Sequence, residues 1–127
     1  MILLGRAIPP AMGTIMTYAE IDAIESDIMY GIAKSAIQRG FSISVADEEE
    51  CIVACSRCVP DIMAAAGMTE LTVFSIRDKG NAVGKVVFVH GNGMDVIHDH
   101  SDNAVTNAIV NPVVAKIEAR LLAEEAL

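Results

Sequence analysis

The chain has no tryptophan, and two tyrosines and three phenylalanines are its only other aromatic rings. It therefore offers no stacking platform for unpaired bases, and its core must be built from aliphatic side chains and methionine. Positive charge is also scarce. Nine Lys and Arg face seventeen Asp and Glu, a formal charge of −8, which repels a phosphate backbone and forgoes the counterion release that drives nucleic-acid binding. No direct nucleic-acid binding is expected. Cysteine is limited to three residues, an odd number, which argues against a disulfide framework and for reduced thiols in a cytoplasmic setting. A long uninterrupted apolar run is missing too. Residues 1–16 are apolar, but Arg6, Pro9, Pro10 and Gly13 break them up well short of the ~18 residues a membrane span requires. A secretory leader would carry its charge ahead of the apolar stretch and not inside it. An N-terminal arm over 1–16, poorly ordered, is the expectation, with no membrane association.

What is present is enough to fold. Hydrophobic residues make up 53% of the chain against 20% charged, so the buried apolar surface can offset the entropy of ordering. At 127 residues one core is expected, giving a single domain over residues 17–127.

Thr17 followed by Glu20 forms a capping-box pattern at the start of a helix predicted over 18–39. Ile21, Ile24, Ile28, Ile32 and Ile37 supply its apolar stripe, and Gly40 its stop. A first hairpin follows, from Phe41 through Val45 and from Cys51 through Cys55, with the charged turn Asp47, Glu48, Glu49, Glu50 between. Residues 56–66 read as a short helix with Pro60 near its start and Gly67 beyond its end. Residues 71–77 and 82–90 form a second hairpin around Asp78-Lys79-Gly80-Asn81. The nearly continuous apolar run from Val83 to Val89 belongs inside the sheet. A polar, glycine-bearing loop then leads to helical sequence from about Asn103, where Asn111-Pro112 kinks one helix or caps a second. The expected fold is α+β: a four-stranded, mainly antiparallel sheet of two hairpins with helices on one face, in the order α-ββ-α-ββ-α.

Three constellations bear on chemistry. His98, His100 and Asp102 have an H-x-H-x-D spacing which, on extended backbone, points both imidazoles the same way and could hold a divalent metal. The plainer alternative is that the histidines are surface residues and that Asp99 or Asp102 caps the last helix. The cluster resembles the first ligand set of metallo-β-lactamase-type hydrolases, H-x-H-x-D-H, but Asn103 stands where the last histidine belongs, so no function transfers. Cys51, Cys55 and Cys58 resemble the C-x3-C-x2-C cluster motif of radical S-adenosylmethionine enzymes. That family needs a large barrel, and buried structural thiols are expected here. Gly91-Asn92-Gly93 follows a strand as a phosphate loop would, but it lacks the P-loop pattern and any nearby basic residue, so a simple turn is expected. Ser101 and Thr106 lie near the histidines without an oxyanion hole or an orienting carboxylate.

From Gly40 onward the layout resembles a group of short phage and prophage proteins without an assigned activity, which read G-N and then D-[HY]-[ST]-D-N. The matching residues are Gly91-Asn92 and Asp99-His100-Ser101-Asp102-Asn103. The resemblance implies a phage-type origin and, because tyrosine can replace the residue at 100, a structural cap before the last helix.

With no coherent catalytic set, the sequence leads to a non-enzymatic accessory protein that binds a protein partner and needs no cofactor, with a homodimer through helical or edge-strand surfaces compatible. A sharper version imitates DNA by presenting Glu20, Asp22, Glu25, Asp27, Asp47, Glu48, Glu49 and Glu50 to a basic groove. The alternative from another class is a metal-binding protein or metal-dependent hydrolase at His98, His100 and Asp102.

Overall fold

The computed structural model describes residues 16–48 and 50–126. The arm over 1–16, apart from Met16, and Glu49 of the charged turn lie outside them. Helix α1, Tyr18–Gln38, begins at the expected capping box: Thr17 Oγ1 accepts from Glu20 N–H at 3.1 Å and Glu20 Oε1 accepts from Thr17 N–H at 2.9 Å. Strands β1, Ser42–Asp47, and β2, Glu50–Ser56, form the first hairpin. Helix α2, Val59–Ala65, starts later than the sequence suggests because Ser56 still belongs to β2 and its hydroxyl accepts from Cys58 N–H. Strands β3, Leu71–Asp78, and β4, Asn81–Val89, meet at Lys79-Gly80, both with positive φ, the signature of a two-residue turn whose twist suits a hairpin.

Among the described residues the sheet has five strands and not four. After a 3₁₀ turn over Gly93–Asp95, β5, Ile97–His100, pairs antiparallel with β4, and the order is β2-β1-β3-β4-β5. So short an edge strand exposes half of its residues and shows no apolar alternation, which is why His98-Asp99-His100 reads as loop in the sequence. As expected, β4 is internal. Pro112 neither ends nor splits the last helix: α3 runs Ala104–Glu125 around it. A proline removes the N–H that would reach back four residues. The carbonyl released, Ala108 O, instead accepts from the Arg39 guanidinium at 3.2 Å, tying the end of α1 to the middle of α3.

Ile43, Val45, Phe74, Ile76, Val86 and Phe88 line the sheet face that meets Ile24, Ile28, Ile32, Ile62 and Ile109 of the helices. Phe74 and Phe88 stand edge to face, ring centres 4.8 Å apart, a geometry worth about 1 kcal/mol beyond burial. Helix α3 lies so close to β4 that a Cβ at Gly84 would overlap Thr106 Oγ1. No helix among the described residues is long and apolar enough to cross a membrane.

The cysteines depart from expectation. Cys51, Cys55 and Cys58 are free and exposed because β2 is an edge strand and residues 57–58 connect it to α2 on the surface. Cys55 also adopts a left-handed φ of +48°, which interrupts the alternation that would have put it on the same side as Cys51.

Candidate functional site

The sequence stripe of α1 conceals an acid. Glu25 lies four residues after Ile21 and three before Ile28, and its residue is only 2% exposed. It cannot belong to a DNA-like acidic surface, so that set loses one of its members. A buried carboxylate demands compensation, which comes from the segment after β4. Glu25 Oε2 accepts from the backbone N–H groups of Gly91, Asn92 and Gly93 at 2.9, 2.7 and 2.7 Å. Left-handed φ angles of +95° at Gly91 and +60° at Gly93 turn successive N–H groups inward into a nest for an anion. Gly91-Asn92-Gly93 is thus more than a simple turn: it is an anion site, and the anion is the protein's own.

The network continues through the imidazole of His90. His90 Nδ1 lies 3.3 Å from Glu25 Oε1, and His90 Nε2 lies 2.8 Å from Thr72 Oγ1. Thr72 Oγ1 also accepts from Gly67 N–H at 3.0 Å. With Nδ1 against a carboxylate, the neutral ring carries its proton there and Nε2 accepts from the Thr72 hydroxyl. Hydroxyl, imidazole and carboxylate thus line up in the order of a hydrolytic triad. Two features close it. Thr72 is 1% exposed, beyond the reach of substrate. The three N–H groups that could serve an oxyanion are already satisfied by Glu25. What the arrangement does is fasten α1, the start of β3, the end of β4 and the loop after it at one point.

The fastened loop walls a groove of about 920 Å³. Its floor is apolar, with Ile21 and Ile24 from α1, Met94 from the loop and Leu121 from α3. Glu20, Glu118, Glu124 and Glu125 line it as well and supply its charge. Leu122 opens onto it at 65% exposure. The Glu20 carboxyl is held below its ordinary value by the Thr17 backbone N–H and hydroxyl, so it stays ionised.

The sequence candidates lie elsewhere. His98 falls in a bulge of β5, where Ile97 and Asp99 pair with the adjacent residues Phe88 and Val87. The bulge breaks the alternation that would have aligned it with His100. His100 Nδ1 is 3.0 Å from Ser101 O, and Asp102 Oδ1 accepts from Asn107 Nδ2 at 3.1 Å. Among the described residues, no three His, Cys, Asp or Glu side chains converge where a metal could sit. The helix cap is Asn103, accepting from Thr106 N–H at 2.9 Å, and neither Asp99 nor Asp102. Ser101 Oγ accepts from Lys85 N–H and Asn103 Nδ2 donates to Val83 O, so the Asp99-to-Asn103 segment docks the strand-to-helix connection onto β4. Asp47 and Glu48 are at the β1–β2 turn, with Glu50 opening β2; Asp47 Oδ1 accepts from the Thr69 hydroxyl.

No protein-family profile, curated protein or solved structure matches this chain.

Proposed function

We propose that this chain is a non-enzymatic module that binds another protein through the groove between α1, residues 91–94 and α3. The observation that carries this is the union of an apolar floor with a wall held rigid by Glu25, since binding to a preorganised surface does not bear the cost of ordering it. The inward closure of Thr72, His90 and Glu25 supports the same conclusion, because the groups that resemble catalytic machinery are consumed in holding the loop. The glutamates along the groove favour a protein partner with basic flanks and speed its encounter at low salt. An accessory role in a phage-type setting, which the resemblance around Asp99-His100-Ser101-Asp102-Asn103 implies, agrees with a protein that works by occupying a partner.

Photo-crosslinking tests it. A benzoylphenylalanine at Met94 or Leu122 should give a discrete adduct in a lysate of the source cell, competed by unlabelled protein and lost with Leu121→Asp. The same probe at Lys79, on the β3–β4 turn, should give none. Failure to find a competable adduct at either groove position would overturn the proposal.

A further inference from the structure

Among the described residues, the helices cover one face of the sheet and nothing covers the other, which is apolar where solvent would call for polar residues. Along β3 and β4, residues that alternate with the buried Thr72, Phe74, Val86 and Phe88 point away from the helices. They are Leu71, Val73, Val87 and Val89, paired as Leu71 with Val89 and Val73 with Val87. Ala46 continues the row on β1, opposite Val73. An antiparallel sheet with one solvated face ordinarily alternates apolar inward and polar outward; this one does so only toward its Ser44, Ser75 and Lys85 end.

We infer that a second copy of this chain covers this face, in a two-fold, sheet-on-sheet dimer. Charge selects the occupant. The strand residues on this face that bear charge are Lys85, Arg77 and Asp99, mixed in sign, whereas the chain as a whole carries −8. Two copies meeting by the groove glutamates or by the Asp47, Glu48 and Glu50 turn would oppose like charges. Meeting by this face, they keep those groups apart. Shape agrees. A two-fold axis near the Val73–Val87 pair lays the apolar half of one sheet on the same half of the other and leaves the serine end at the rim, the self-complementary arrangement an isologous interface requires. The apolar half, three strands at ~4.8 Å spacing by about four residues at ~3.3 Å, outlines roughly 200 Å². Even with the polar rim around it, that stays below the ~800 Å² per partner of a standard interface and predicts a weak dimer, on the order of tens of micromolar. Face-to-face packing of twisted sheets over a shared apolar layer is a well-populated architecture. The groove stays open in such a dimer, so this inference is independent of the function proposed above.

Sedimentation velocity on the full chain from ~1 to ~100 μM tests it. A monomer–dimer equilibrium is expected, with Val73→Lys and Val87→Glu each giving monomer across the range and Leu122→Lys leaving the dimer intact. If a charged variant unfolds, Val73→Thr/Val87→Thr keeps β-branched residues in the strands and should still weaken the dimer at least about 5-fold, roughly 1 kcal/mol. A chain that is monomeric throughout overturns the inference. So does a dimer that survives the face substitutions, since it would then form through another surface.

Discussion

Removing the internal anion should do more damage than removing any other single surface-like acid. Glu25 accepts four hydrogen bonds, three from backbone N–H groups and one from His90. Glu25→Ala leaves the nest without an acceptor, and each buried donor left unsatisfied costs ~1–3 kcal/mol. Water entering beside Gly91 and Asn92, which are exposed, will satisfy part of this, so a net loss of about 4 kcal/mol is expected. Glu25→Gln separates charge from geometry. Its carbonyl oxygen can face the nest while its amide donates to His90 Nδ1, the ring changing tautomer so that Nε2 donates to Thr72. Only charge assistance is then lost, about 1–2 kcal/mol. For a domain this size, roughly 3–4 °C of melting temperature accompanies each kcal/mol, so the alanine variant should melt lower by roughly 12–16 °C and the glutamine variant by about a third of that. Circular dichroism in urea and on heating measures both, and amide hydrogen exchange should show residues 91–93 protected in the wild type and fast in Glu25→Ala. Equal, small losses for the two variants, or unprotected amides in the wild type, would refute an anion held in a nest.

Three further outcomes follow from local geometry. Gly84→Ala sets a Cβ against Thr106 Oγ1 and must push α3 off β4; a loss of about 2 kcal/mol in urea unfolding is expected, larger than the propensity gain of alanine. Pro112→Ala restores an N–H able to reach Ala108 O and so competes with Arg39; in a double-mutant cycle, Arg39→Ala should cost about 1 kcal/mol in the wild type and near nothing beside Pro112→Ala. Because the Glu20 carboxyl is held below its ordinary value of 4.5 by Thr17, its folded pKa is depressed. The stability it lends is present above that ordinary value and fades as pH falls through the folded one. Thr17→Ala should move the midpoint of the Glu20 carboxyl titration followed by NMR up toward 4.5 and make the stabilities of wild type and variant converge at low pH.

The elements that could be read from the chain are those governed by neighbours. The Thr17–Glu20 capping box, the Lys79-Gly80 turn and the α1 isoleucine stripe each depend on steps of five positions or fewer along the chain, and each appears where its pattern lies. β5 escaped because its place is set by hydrogen bonds to β4 and not by its own composition. The cysteines went wrong for a similar reason: strand alternation says which residues share a side, but only the sheet order says that β2 is an edge, and only the backbone at Cys55 shows the alternation broken. The sequence around Pro112 fits kink and stop equally, because what settles it is a guanidinium more than seventy positions upstream.

Glu25 is the more instructive omission, since its signal was in view. An acid at the centre of an isoleucine stripe is either a break in the stripe or a buried charge awaiting donors. A Gly-Asn-Gly segment after an internal strand is either a turn or a nest awaiting an anion. Taken singly, each has the blander interpretation. The lack of a lysine or arginine near Gly91 argued against a bound phosphate, and it still does, because a free dianion needs more than three amides to leave water. An anion already tethered to the fold needs far less. Its desolvation is shared with the folding of α1, and three N–H groups with one imidazole suffice. Two unsatisfied demands of opposite sign in one small domain therefore point to each other, and their union sets the wall of the groove.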